Sequence, residues 1–160
     1  PHKRLFDADN AHDREIVHHA LEHLGMQDMD TRSYRSLSGG EKQRVMIARA
    51  IAQESDFFVL DEPTNHLDIS YQMQIFDFIQ RLGVTVLAAV HDLNMAALYC
   101  DRIYVLQHGQ VALQGTPEQV LTPQNIEQVY GVACTVERHP RTGRPSITYL
   151  PARDLPSGAS

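Results

Sequence analysis

Phe57-Phe58-Val59-Leu60-Asp61-Glu62-Pro63-Thr64 is the stretch whose reading decides the fold. Four consecutive apolar residues, too few for a helix and without alternation, read as a strand of a parallel sheet buried on both faces. The run ends abruptly in two carboxylates. Val84 to Val90 repeats the pattern as a second fully buried strand, ending at His91. Between the two, Ile75, Phe76, Ile79 and Leu82 recur at helical spacing, and Gly83 stands where a helix C-cap belongs. Strand, helix, strand is the crossover unit of a parallel α/β sheet. In such sheets ligands bind beyond the carboxyl ends of the strands, and the acidic pair and His91 fall there.

An acidic pair at that place suits phosphoryl transfer. One carboxylate can hold Mg²⁺, directly or through water, while its neighbour, pointing to the other side of an extended chain, polarises an attacking water. For Asp61-Glu62 alone, a solvated strand end or a helix cap is the plainer alternative. His91 can donate a hydrogen bond to a terminal phosphate oxygen, and its parallel placement at a neighbouring strand end gives a lone histidine its weight. Ser38-Gly39-Gly40 precedes Glu41 to Gln53, a run of helix formers without Pro or Gly. Glycines admit close backbone approach, the hydroxyl donates, and the helix N-terminus favours an anion, so the segment can contact phosphate or simply cap the helix.

The flanking sequence is regular. Residues 14–24 carry Ile16, Val17, Ala20, Leu21 and Leu24 on one helical face, with Gly25 as terminator. A short helix over Leu93 to Tyr99 leads to Ile103 to Leu106, joined through His108-Gly109 to Val111 to Leu113 as a hairpin. Thr116-Pro117-Glu118 and Thr122-Pro123 each place a capping hydroxyl before Pro at the first helical position. A second hairpin is expected from Cys134 to Leu150 around Arg141-Thr142-Gly143, followed by a disordered tail over 151–160.

The chain has 160 residues, 42% of them hydrophobic, enough to bury a core. With 14 Lys or Arg against 20 Asp or Glu, the net charge is −6 and argues against nucleic acid as partner. Only Lys3 and Lys42 are lysines. Cys100 and Cys134 have no CxxC spacing and read as packing residues in a reducing compartment. No apolar run is long enough to cross a bilayer, and Pro1-His2-Lys3-Arg4 does not open a signal peptide. His12, His18, His19 and His23 cluster, with His19 and His23 at i,i+4, but a polar helix face explains them better than a metal site, since no acidic or Cys partner completes a ligand pattern. Glu15, Glu22, Arg44 and Arg49 are expected on solvated helix positions, and Lys42 on a solvated face.

Taken in order, these elements resemble the ATP-binding subunits of ABC transporters. Leu37-Ser38-Gly39-Gly40-Glu41-Lys42-Gln43-Arg44 is similar to the family signature, Phe57 to Thr64 to its Walker B strand, Asn65-His66-Leu67-Asp68 to the D-loop, and His91-Asp92 to the switch histidine. The resemblance covers about residues 1–150. It implies a P-loop NTPase-like (RecA-like) α/β fold with ATP and Mg²⁺ as cofactors. By position, Asp61 would assist Mg²⁺, Glu62 would be the general base, and His91 would sense the γ-phosphate. Ser38, Gly39, Gly40 and Glu41 would meet the ATP of the opposite subunit in a head-to-tail dimer, and Asp68 would couple the two sites.

The sequence contains no Gly-x-x-x-x-Gly-Lys-Ser/Thr, and neither lysine lies in such a setting. The glutamine loop and the adenine platform are absent as well, and Pro1-His2-Lys3 resembles the segment just after a glutamine loop. The expectation is therefore a truncated domain that binds ATP poorly and does not turn it over alone. Its parts would be 1–36, a remnant of the helical subdomain; 37–115, the carboxyl half of the catalytic core; 116–150, C-terminal helices and hairpin; and 151–160, a tail. Strands 57–60 and 84–90 would lack sheet neighbours and expose apolar edges.

His91-Asp92-Leu93-Asn94-Met95-Ala96-Ala97-Leu98-Tyr99-Cys100-Asp101, Gly115-Thr116-Pro117-Glu118 and Val129-Tyr130-Gly131-Val132 resemble importer ATPases for iron-siderophore, haem and cobalamin. That implies a peripheral subunit on the cytoplasmic face of the cell membrane, docked on transmembrane permease subunits and served indirectly by a substrate-binding protein. The alternatives are a soluble ABC protein acting on ribosomes, for which Pro63 to Asp68 is also typical, and a non-catalytic interaction fragment.

Overall fold

The computed structural model describes residues 11–29, 32–53, 55–64 and 67–151. The segment Pro1-His2-Lys3, the D-loop pair Asn65-His66 and the tail beyond Pro151 lie outside the described residues. The chain forms two compact units, Pro1–Ala89 and Val90–Ser160.

In the first unit, α1 (Ala11–His23), α2 (Gly39–Ile51) and α3 (Ile69–Leu82) accompany two short strands, β1 (Phe57–Leu60) and β2 (Thr85–Ala88). The strands pair in parallel, with Phe57 opposite Thr85 and Leu60 opposite Ala88, and α3 is the crossover between them. Gly83 ends α3 in the left-handed conformation at φ 65°, which a residue without Cβ adopts at no steric cost. One core ties the helices together: Ala20, Leu21 and Leu24 of α1, Ile47 and Ala48 of α2, and Ile75 and Phe78 of α3 are all buried.

The expectation that both strands are buried on both faces does not hold. Phe58, Leu60 and Val86 share an apolar crevice with Ile47 and Ala50 of α2 and Ile79 and Leu82 of α3. Phe57, Val59 and Leu87 point the other way and are 51%, 66% and 53% exposed. The reason is the pleat: successive side chains alternate faces, and the helices of this unit cover one face alone. Among the described residues each strand also has a neighbour on one side only. We expect the isolated chain to self-associate through this surface, and Val59→Lys to shift light-scattering profiles toward monomer. Monodisperse monomer of the unsubstituted chain at high concentration would refute this.

The second unit holds α4 (Leu93–Tyr99), the hairpin of β3 (Ile103–Gln107) and β4 (Gln110–Gly115), α5 (Pro117–Val120), α6 (Pro123–Tyr130), and the hairpin of β5 (Cys134–Arg138) and β6 (Pro145–Tyr149). His108 and Gly109 turn the first hairpin with φ values of 51° and 75°, the positive pair that a two-residue type I′ turn requires. Thr122 caps α6 by accepting from the Asn125 N–H at 3.2 Å, with Pro123 at the first helical position. The core packs Leu93, Ala96 and Ala97 of α4 against Ile103, Val105, Ile126 and Ile147. Cys134 is buried there and Cys100 packs beside it; desolvation raises both thiol pKa values, as expected of packing cysteines. No helix among the described residues is long and apolar enough to cross a membrane.

Candidate functional site

Ser38 caps α2. Its hydroxyl accepts from the Glu41 N–H at 3.3 Å, and the Glu41 carboxylate accepts from the Ser38 N–H at 2.7 Å, closing a capping box. The two glycines lie inside the first turn rather than ahead of the helix. The first intrahelical bond runs from Lys42 N to the Ser38 carbonyl at 2.9 Å, so the N–H groups of Gly39 and Gly40 are left for an outside acceptor. A Cβ on Gly40 would meet the Leu67 side chain at 3.0 Å, so the close approach at this glycine is to the segment before α3.

The Glu41 carboxyl is held below its ordinary value of 4.5, first by the Ser38 backbone N–H, then by the Ser38 hydroxyl and the Arg32 and Arg44 charges. Because the folded value is depressed, this contribution is present above pH 4.5 and fades as pH falls below it. Glu41→Gln should therefore match the unsubstituted chain in strong acid, fall below it in stability as pH rises toward 4.5, and keep the full deficit above that value. Ser38→Ala should cost about 1 kcal/mol of stability at neutral pH in denaturant unfolding. Equal stability of the Glu41→Gln and unsubstituted chains at neutral pH would show that the carboxylate adds nothing to the cap.

Asp61 and Glu62 follow β1 directly. Asp61 is exposed and Glu62 half-buried. The chain does not stay extended here, as the sequence reading assumed: Glu62 sits at φ 46°, in the left-handed region that non-glycine residues rarely adopt. Such a conformation costs about 1–2 kcal/mol and needs support from its surroundings. Two glutamine amides supply support. Gln43 of α2 donates from Nε2 to the Pro63 carbonyl at 3.2 Å and the Glu62 carbonyl at 3.4 Å. Gln72 of α3 donates to the Thr64 carbonyl at 3.2 Å and the Leu67 carbonyl at 3.0 Å. A loop whose carbonyls have no ladder partners is thus tied to two helices.

Asp68 is the N-cap of α3, its Oδ1 accepting from the Tyr71 N–H at 3.1 Å. Arg44 is not solvated, contrary to the sequence reading. It is 8% exposed, and its guanidinium lies 4.1 Å from the centroid of the Tyr71 ring. It shares the buried stripe of α2 with Ile47 and Ala48, three and four residues on, and stacking on an aromatic face suits a weakly hydrated guanidinium. Its Nε has no hydrogen-bond partner among the described residues. Lys42 is half-buried, 5.9 Å from the Tyr34 ring centroid.

In the first unit, Gln43 of α2 and Gln72 of α3 thus hold the carbonyls of the segment from Glu62 to Leu67, which leads into the Asp68 cap. His91 belongs to the second unit, exposed just before α4. Asp92 caps that helix by accepting from Asn94 N and Met95 N at 2.8 and 3.1 Å. Asn94 then pairs edge-on with β6, donating to the Ile147 carbonyl at 3.2 Å and accepting from the Ile147 N–H at 2.8 Å. The helix after His91 is thereby fixed to the C-terminal hairpin. Among the described residues no group of three His, Cys, Asp or Glu is placed to hold a metal; the side chains of His12 and His23 lie outside those residues.

Residues 1–65 match the family model for ABC transporters. The chain is 37% identical over 164 residues to the ferric enterobactin transport ATP-binding protein FepC of Escherichia coli, covering 100% of this chain and 60% of FepC. It is 40% identical to the iron(3+)-hydroxamate import ATP-binding protein FhuC of Bacillus subtilis, covering 93% of this chain and 57% of FhuC. The hemin import ATP-binding protein HmuV of Pseudomonas aeruginosa is 44% identical over 144 residues, covering 84% of this chain and 56% of HmuV. This chain thus spans 60% or less of each of these relatives. A solved metal-chelate type ABC transporter in an inward-facing conformation superposes with a TM-score of 0.82 at 26% identity, covering 96% of this chain and 63% of its own. With the signature cap and the acidic strand end in the family's order, the chain belongs to the ABC transporter ATPase family.

Proposed function

We propose that this chain is the signature-to-switch part of the ATP-hydrolysing subunit of an importer for iron-siderophore, haem or cobalamin-type compounds. The observation that carries the reading is the Asp61-Glu62 pair at the carboxyl end of the parallel strand β1, in the unit whose α2 presents the Gly39 and Gly40 N–H groups behind the Ser38 cap. Identity of 37% to FepC and 44% to HmuV over most of the chain supports the importer class.

In this reading the exposed Asp61 carboxylate would help to hold Mg²⁺, directly or through water. The metal, when bound, neutralises charge on the transferred phosphoryl group. Glu62 accepts a proton from the attacking water, and His91 donates a hydrogen bond to a terminal phosphate oxygen. Ser38 spends a hydroxyl lone pair on its cap and keeps its O–H, beside the Gly39 and Gly40 N–H groups, for the nucleotide of a second copy arranged head to tail. Glu41 holds that loop in shape. Asp68, at the start of α3, would help to couple the sites of the two copies. Transmembrane permease subunits would receive the work, on the cytoplasmic face of the membrane, and a substrate-binding protein would deliver the cargo.

The test is transport by the assembled complex in proteoliposomes. ATP-dependent uptake of one of the three compound classes, lost in Glu62→Gln, is the expected result. ATP turnover by a protein that co-purifies with ribosomes and captures no permease would overturn it.

A further inference from the structure

We propose that Gln43 is a positioning residue for Glu62, setting the backbone from which the base projects; this rests on the reading of Glu62 as the base. Three observations converge. Glu62 is held at φ 46°, a conformation that reverts to the favoured region unless its surroundings hold it. The Gln43 amide donates to two successive carbonyls, those of Glu62 and Pro63, 3.4 and 3.2 Å away. Gln43 also stands on the helix that begins at the Ser38 cap, five residues along one rigid element.

The consequence is a link between two chemistries in one unit. An anion seated on the Gly39 and Gly40 N–H groups fixes the position of α2, and α2 fixes the Glu62 carbonyl through Gln43. The Arg44–Tyr71 stack and the Gln72 bonds to Thr64 and Leu67 hold the other side of the same loop to α3. The Gln43 amide bonds to backbone carbonyls, so it should act on the rate of the chemical step and not on nucleotide affinity. A misplacement of about 1 Å in a reacting group can cost on the order of 10²-fold in rate.

The experiment compares Gln43→Met, which keeps length and loses the donor, with Gln43→Glu, which puts a carboxylate against the carbonyls, and Gln43→Lys, which restores a donor. Each is assayed for ATP turnover in the assembled ATPase beside Glu62→Gln. Gln43→Met and Gln43→Glu should lower kcat by roughly 10- to 100-fold, with KM for ATP within about threefold, and Gln43→Lys should recover most of the loss. Adding Gln43→Met to Glu62→Gln should cause no further loss, because both act on one group. Unchanged kcat in both Gln43→Met and Gln43→Glu, with Glu62→Gln inactive, overturns the positioning role and spares the base. A parallel rise in KM, or an additive loss in the double variant, overturns it as well. Full turnover in Glu62→Gln instead overturns the reading on which the proposal stands.

Discussion

Glu62→Gln should lower ATP turnover of the assembled protein by about 10²- to 10⁴-fold while ATP binding stays within a few-fold, the span expected when a positioned general base is removed. Gln keeps the length and the polar outline of the side chain, so the left-handed backbone at φ 46° and its bonds from Gln43 need not change. What disappears is the ability to take a proton from water. Asp61→Asn, one residue earlier on the exposed strand end, should act differently: on the proposed reading it removes the carboxylate that would help to hold Mg²⁺, and should raise the Mg²⁺ concentration needed for half-maximal rate. The two profiles distinguish a base from a ligand in a pair whose roles residue type and spacing alone leave open and the family resemblance assigns. If Glu62→Gln retains turnover within about threefold of the unsubstituted protein, the water is activated elsewhere and Glu62 is a strand-end carboxylate.

The difference between those two carboxylates shows what was legible in the sequence. Phe57 to Leu60, Leu93 to Tyr99 and the two hairpins were readable because periodicity, caps and turn residues are local, and each of these segments folds as its own pattern dictates. The crossover was readable for the same reason. The half-exposed strands were not, because a continuous apolar run says that a strand belongs between two layers and cannot say which layers lie in the chain. Gln43, Gln72 and Arg44 were missed because their partners are backbone carbonyls and an aromatic ring distant in sequence. Arg44 alone carried a signal, its place three and four residues before Ile47 and Ala48 on the apolar stripe of α2. For Glu62 the sequence offered the carboxylate but not the left-handed backbone, since Pro63 after it favours an extended residue.

Phe78→Ala should destabilise the first unit by about 3–5 kcal/mol, the largest stability effect expected of any single truncation here. Phe78 is 3% exposed and lies among Leu21, Leu24 and Ile47, on the inward face of α3 with Ile75 at 1%. Removing a buried ring loses its transfer free energy and leaves a cavity that helices from three parts of the chain close only partly. Against a typical domain stability of about 5–15 kcal/mol, that loss takes a large share. Met73, 40% exposed on the same helix, is the control: Met73→Ala should stay within about 0.5 kcal/mol, so the comparison separates packing from helix propensity. Urea unfolding followed by circular dichroism measures both. The result bears on the site because α3 also carries Tyr71 and Gln72. A loosened helix would free the loop carbonyls at Thr64 and Leu67, and turnover should fall with stability in Phe78→Ala but not in Met73→Ala. Equal stability of the two variants would mean that α3 is not held by this core, and that the Gln72 bonds and the Arg44–Tyr71 stack fix its place.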